Sequence, residues 1–267
     1  MVAVSFGFAV LFELALVIGL VILIRRRYAP PMRLFFVGML TFLGSQAVHI
    51  PLLSGITELY KTGVLAQPSA AAAPWVNAIT LGLAAGLCEE LARLVGFKTT
   101  RRLSNSWGAA LLMGAGHGGI EVILVALTVL SQLVVMLLAG PSGTNLPGLS
   151  AEQIGMVKDL WTSMPWHLPL AGAVERLTAL LLHVTLSVMV WIAVTRRAWL
   201  WLAGAILYHA LVDGVTVRLA AINMSAWGIE GVLLITLVIN LFALRWMKAR
   251  YSEPPALPAP EPVSSGA

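Results

Sequence analysis

The sequence predicts an all-α, polytopic transmembrane helical bundle of about seven spans, and three observations predict it. Hydrophobic residues make up 59% of the 267 positions and charged residues only 11%, whereas soluble domains carry about 25% charged residues. The apolar residues fall in unbroken runs of about 20, enough for a helix to cross a bilayer, and not in the weakly alternating ten-residue segments of an outer-membrane barrel. The basic residues hug the ends of these runs. The net charge of +5 therefore reads as the positive-inside rule and not as a nucleic-acid surface.

The first run, about 4–24, is apolar except for Glu13 and is followed by Arg25, Arg26 and Arg27. With no basic residue before it, this is the pattern of a retained helix whose N-terminus lies outside. The second run, about 34–53, carries Gln46 and His49 ahead of Pro51. A Ser/Ala/Pro-rich loop follows at about 67–74. The third run, about 75–97, contains Glu89, Glu90 and Arg93 and ends at Lys98. The fourth starts near Trp107 and continues to about 138, too long for one upright crossing, so tilt or an extension beyond the bilayer is expected.

Between 140 and 168 lies the one substantial polar connection. In it, Ser150 and Gln153 form an S-x-x-Q capping box, followed by Ile154, Val157, Leu160 and Trp161 at helical spacing, which predicts a short amphipathic helix on the outer surface. Three further spans are expected at about 169–194, 198–220 and 226–247. Residues 1–252 thus form one transmembrane domain, and the Pro/Ser/Ala-rich stretch 253–267 is expected to be disordered.

Counting basic residues orients the chain. An outside N-terminus and a cytoplasmic C-terminus put Arg25, Arg26, Arg27, Arg33, Lys98, Arg101, Arg102, Arg196, Arg197, Arg245, Lys248 and Arg250 on the cytoplasmic side, against Lys61, Lys158 and Arg218 outside. The nine tryptophans fall near the predicted boundaries, as interfacial anchors do. The expected location is the cytoplasmic membrane, with the lipid bilayer as surroundings and no nucleic-acid partner. The single cysteine, Cys88, excludes an intramolecular disulfide and reads as a packing residue.

Ionisable residues inside the runs carry the functional signal, because each costs about 2.5–3.5 kcal/mol at the centre of a membrane helix. At a rise of 1.5 Å per residue, Glu89 and Glu90 lie about 12–14 Å from Lys98, His117 about 15 Å from Trp107, His209 about 18 Å from Arg197, and His183 about 20 Å from Arg196. Four helices running in alternate directions thus bring ionisable groups to one layer. Within it, His117 with Glu121, His209 with Asp213, and Glu89 with Arg93 are i, i+4 pairs that share a helix face. Such pairs place two ligands on one ion, or let a carboxylate orient a liganding histidine. Gly82 with Gly86 and Gly114 with Gly118 give two G-x-x-x-G faces for close helix approach. Glu175 and Arg176 lie nearer the outer face, either paired or lining an entry. His49 and His167 read as structural and interfacial, and Glu13 has no evident role.

A Glu/His set with no serine beside a histidine, no aspartate pair and no H-E-x-x-H leaves water activation as its chemistry. A buried Glu/His/Asp cluster also serves proton- or cation-coupled transport, and a non-catalytic membrane scaffold is a third reading.

E-E-x-x-R at Glu89–Arg93, G-H-G-G-I-E around His117, E-R at Glu175 followed by His183, and H-A-L-V-D at His209 resemble the YhfC family of intramembrane metalloproteases. That family is similar to the CAAX-prenyl, bacteriocin-processing and PrsW-like proteases. The resemblance covers about 82–214. It implies an endopeptidase acting on a membrane-associated peptide or protein, with a divalent metal, expected to be zinc. Glu89 or Glu90 would activate water, with Arg93 beside them. His117 and His209 would bind the metal or the water with Asp213 in support, and Glu121 and His183 would be further metal ligands. The CAAX proteases carry E-E-x-x-x-R and F-x-x-x-H, whereas Arg93 comes one residue earlier here and Met113 takes the aromatic position. Processing of a prenylated substrate is therefore not expected.

Overall fold

The computed structural model describes residues 1–143, 147, 148 and 150–252; the expected disordered tail at 253–267 lies outside the described residues. Among the described residues the chain is all-helical: α1 (Val2–Tyr28), α2 (Arg33–Lys61), α3 (Ala73–Thr99), α4 (Trp107–Ala139), α5 (Ala151–Thr162), α6 (Leu168–Thr195), α7 (Leu200–Ala221) and α8 (Ala226–Tyr251). Six of these, α1, α2, α4, α6, α7 and α8, are long and apolar enough to cross a membrane. Helix α3 matches them in length at 27 residues but carries Glu89, Glu90 and Arg93, and it packs along α2 and α7. The expected seven crossings count α3 with the six.

The helix starts follow local chemistry. Ser106 caps α4 by accepting from the Ala109 N–H, and Ser225 caps α8 by accepting from the Gly228 N–H. Prolines occupy the first turns of α3 and α6, where a missing N–H leaves no bond unmade. The capping box of Ser150 and Gln153 is present and starts α5 where expected.

Helix α2 outruns its expected end. α2 continues through Pro51 to Lys61. Beyond the proline, the Ser54 and Thr57 hydroxyls donate to the carbonyls of Ile50 and Leu53 and hold the turn together. α4 runs for 33 residues, about 50 Å at helical rise. Its C-terminal end is covered by α5, whose Trp161 indole N–H donates to the Met136 carbonyl at 3.0 Å.

Helix α6 is the hub. It touches α1, α3, α4, α7 and α8, and 78% of its apolar window is buried, against 28% or less in the other spans. Both expected glycine faces are at helix crossings. A Cβ on Gly118 would come within 2.8 Å of the His183 Cβ on α6, and one on Gly86 within 2.6 Å of the Ile206 carbonyl on α7. These close approaches bring α3, α4, α6 and α7 together at the depth of the ionisable layer. At one end of the bundle Lys98 lies over the Trp199 ring and Lys248 over Tyr28, while Arg218 lies over Trp75 at the other.

Candidate active site

The glutamate pair on α3 points into the bundle, and its two members have different surroundings. Glu89 is ringed by histidines. Its Oε2 lies 3.0 Å from His117 Nε2, 3.9 Å from His183 Nδ1 and 4.0 Å from His209 Nε2, and its Oε1 accepts from Gln46 Nε2 at 3.3 Å. Glu90 is fully buried one step behind. Its Oε1 is held by the Arg93 guanidinium and by His209 Nδ1, the latter at 2.8 Å.

Hydrogen bonds fix which ring nitrogens carry protons. The Thr41 hydroxyl donates to the Gly38 carbonyl at 2.7 Å, so its 2.8 Å contact with His117 Nδ1 is donated by the imidazole. His209 Nδ1 likewise donates to the Glu90 carboxylate. In a neutral imidazole each then presents a bare Nε2. These bare nitrogens face acceptors: His117 Nε2 meets Glu89, and His209 Nε2 meets Glu89 and also Asp213 Oδ2 at 3.4 Å. A lone pair against a carboxylate oxygen is repulsive until a cation, a proton or a metal ion, stands between them.

His183 is tied differently. An arginine only donates, so Arg93 Nη2, 2.6 Å away, uses His183 Nδ1 as acceptor. The proton is then on Nε2, which donates to Glu121 Oε2 at 2.5 Å. Glu121 Oε1 is bound by Arg176 at 2.5 Å, and Arg176 also holds Glu175 at 2.5 Å. One chain of ion pairs and hydrogen bonds therefore runs Glu175–Arg176–Glu121–His183–Arg93–Glu90–His209. The expected Glu89–Arg93 pair is present at 3.7 Å, but the closer partners of Arg93 are Glu90 and His183.

Could the donors hold a metal ion? Ligand atoms of Glu89, His183 and His209, all buried, lie within 4.8 Å of one another. Nitrogen from imidazole and oxygen from carboxylate is the donor set of catalytic zinc sites. The Nε2 atoms of His117 and His209, bare in the neutral rings, both face Glu89 Oε2, whereas His183 would join an ion only if Arg93 released Nδ1. Glu121 has both carboxylate oxygens engaged by His183 and Arg176.

The layer borders a cavity of about 390 Å³ that extends away from the Lys98/Lys248 end. Glu89, His183 and His209 line its inner part. Asp213, Thr216, Glu175, Arg176 and Thr236 line it further out, and Phe42, Gln46 and His49 come from α2. Asp213 and Glu175 keep about a third of their side chains exposed, 37% and 36%. On the other side the site is closed by buried Phe97, Met113, Leu186 and Trp191.

The α2 contribution has no counterpart in the motif reading. Thr41 orients His117, the Phe42 ring meets the His117 ring edge-on at 5.3 Å, and Gln46 holds Glu89. A stripe of small or polar residues, Gly38, Thr41, Ser45 and Gln46, was the available signal. His49 lines the cavity. His167 accepts from the Trp227 indole at 2.9 Å near the surface, as an interfacial residue would.

No solved structure matches the chain. The uncharacterized membrane protein YhfC of Bacillus subtilis (strain 168) is 31% identical over 199 residues, covering 73% of this chain and 76% of that protein. The family model described as YhfC intramembrane metalloprotease matches residues 12–239, which takes in every residue of the buried Glu/His layer, and the chain belongs to this family.

Proposed function

We propose that the chain is a membrane endopeptidase that hydrolyses a peptide bond of a membrane-associated polypeptide at the inner end of the cavity. The observation that carries this is Glu89: one buried carboxylate faced by three imidazoles on the wall of the cavity. Glu89 Oε1, held only by Gln46, is the acceptor for the proton of the attacking water and returns it to the leaving amine. His117 and His209, each fixed through Nδ1, would offer Nε2 to a divalent ion held beside Glu89. When bound, that ion supplies Lewis acidity to the water and to the scissile carbonyl. Glu90 orients His209 and is itself neutralised by Arg93, so of the two glutamates Glu89 acts on the water. Asp213 borders the same space next to His209.

The location that fits is the cytoplasmic membrane. Seven crossings with the N-terminus outside make the Lys98/Lys248 end cytoplasmic and let the cavity open outwards.

The test is a metal analysis of the purified protein together with cleavage of a membrane-protein substrate pool. About one divalent transition metal per chain is expected, reduced in His117→Ala and His209→Ala, with cleavage lowered about 10²–10⁴-fold in Glu89→Gln. Full cleavage by Glu89→Gln would refute the reading.

The unbroken chain from Glu175 to His209 also fits a proton relay in a transporter. The plug of Phe97, Met113, Leu186 and Trp191 opposes passage to the other side. Proton-coupled uptake into vesicles without proteolysis would favour that second reading.

A further inference from the structure

Beyond the Glu/His layer, the outer part of the bundle holds acidic groups that the proposed hydrolysis does not use. Glu13 sits mid-way along α1 and is 1% exposed, and its Oε2 has no hydrogen-bond partner. It lines a crevice of about 180 Å³ between α1, α4 and α6 with Gln132, Gly172, Glu175 and Arg176. Glu175 and Arg176 also line the main cavity, so the two spaces share a wall.

Among the described residues Arg176 is the cation that faces these groups, and its two terminal nitrogens are engaged by Glu121 and Glu175. Glu13 makes no ion pair among the described residues. A buried carboxylate without a partner is strongly disfavoured, and Glu13 borders a crevice in which a cationic side chain would pair with it.

We propose that Glu13 and Glu175 recognise a Lys or Arg side chain of the substrate polypeptide and seat it in the crevice between α1, α4 and α6 that adjoins the cavity, while the bond to be cut lies against Glu89. The inference rests on the hydrolytic reading and names its substrate class: a membrane-associated polypeptide with a basic residue on the outer side of the cleaved bond. A side chain is favoured over a free metal ion because Arg176 holds a permanent positive charge against the same carboxylates. An alkyl ammonium or guanidinium brings its own apolar stem, which suits walls formed by Phe6, Val125 and Val129.

The experiment uses full-length Glu89→Gln protein in detergent and a fluorescent apolar decapeptide with one central Lys or Arg. The control peptide has norleucine at that position. Binding of the basic peptide about tenfold tighter is expected, with the preference falling below about twofold in Glu13→Gln and Glu175→Gln versions that melt at an unchanged temperature. Equal binding of the two peptides overturns the inference, as does a preference that both variants retain. Selective binding without cleavage by the wild-type protein would keep this pocket and refute the endopeptidase reading instead.

Discussion

Thr41 on α2 fixes the tautomer of His117 on α4: its hydroxyl donates to the Gly38 carbonyl and accepts from His117 Nδ1 at 2.8 Å. This leaves Nε2 bare towards Glu89. Outer partners of this kind are worth about 10–100-fold in metal affinity or activity. Thr41→Val keeps the shape and removes the acceptor. The expected outcome is a metal affinity lower by about 10–100-fold, read by competitive chelator titration, with the helical content unchanged. Thr41→Ser should restore most of it.

Arg93 is 0% exposed and bound to Glu90 and His183. Removing one partner of a buried pair leaves an uncompensated charge and typically costs about 3–5 kcal/mol. Arg93→Met is therefore expected to unfold at markedly lower denaturant or temperature in detergent. Arg93→Lys keeps the charge but not the fork that reaches two partners, and is expected to fall between. The double variant Arg93→Met/Glu90→Leu removes both charges and should regain much of the stability. It should stay inactive, because His209 Nδ1 has lost its acceptor. Additive losses in this cycle would mean that the two residues do not act as a unit.

How much of this was legible in the sequence follows from what periodicity and depth can carry. Ionisable residues stand out in apolar runs, and helical rise places them, so the joining of Glu89, His117, His183 and His209 in one layer could be read from numbers alone. The distinct jobs of the two glutamates could not. Glu89 and Glu90 are one residue apart, about 100° around the helix, and only the packing of α3 against α7 decides which one meets His209 Nδ1. Thr41 was hidden for a related reason: an uncharged hydroxyl in an apolar run has no depth signal. The continuation of α2 past Pro51 was hidden too, because a proline reads as a stop unless neighbouring hydroxyls and helices compensate.

The short helix α5 offers a separable test. Its start depends on the reciprocal bonds of Ser150 and Gln153, and its docking on the Trp161–Met136 contact. Ser150→Ala removes one cap, worth about 1 kcal/mol. It is expected to raise amide exchange across 151–162 while leaving exchange in α6 unchanged. Equal loosening of both helices would show that α5 is part of the cooperative core.

The glycine crossings decide whether the site can form at all. A Cβ on Gly82 would run into the Ala210 carbonyl, and one on Gly86 would sit 2.6 Å from the Ile206 carbonyl. Both obstacles are backbone, which cannot rotate away, so α3 and α7 would have to separate. That movement would draw Glu90 away from His209 across the same interface and release the Nδ1 proton that keeps Nε2 bare. Overpacking of this kind costs about 1–3 kcal/mol. Gly86→Ala is expected to lower the melting temperature and to weaken metal binding and cleavage more than the stability loss alone accounts for. Gly231→Ala is the control, since a Cβ there meets nothing within 4 Å. It should leave metal content unchanged and, by helix propensity, be neutral or slightly stabilising. If Gly86→Ala binds metal as tightly as the unaltered chain, the α3–α7 spacing does not set the geometry of His209.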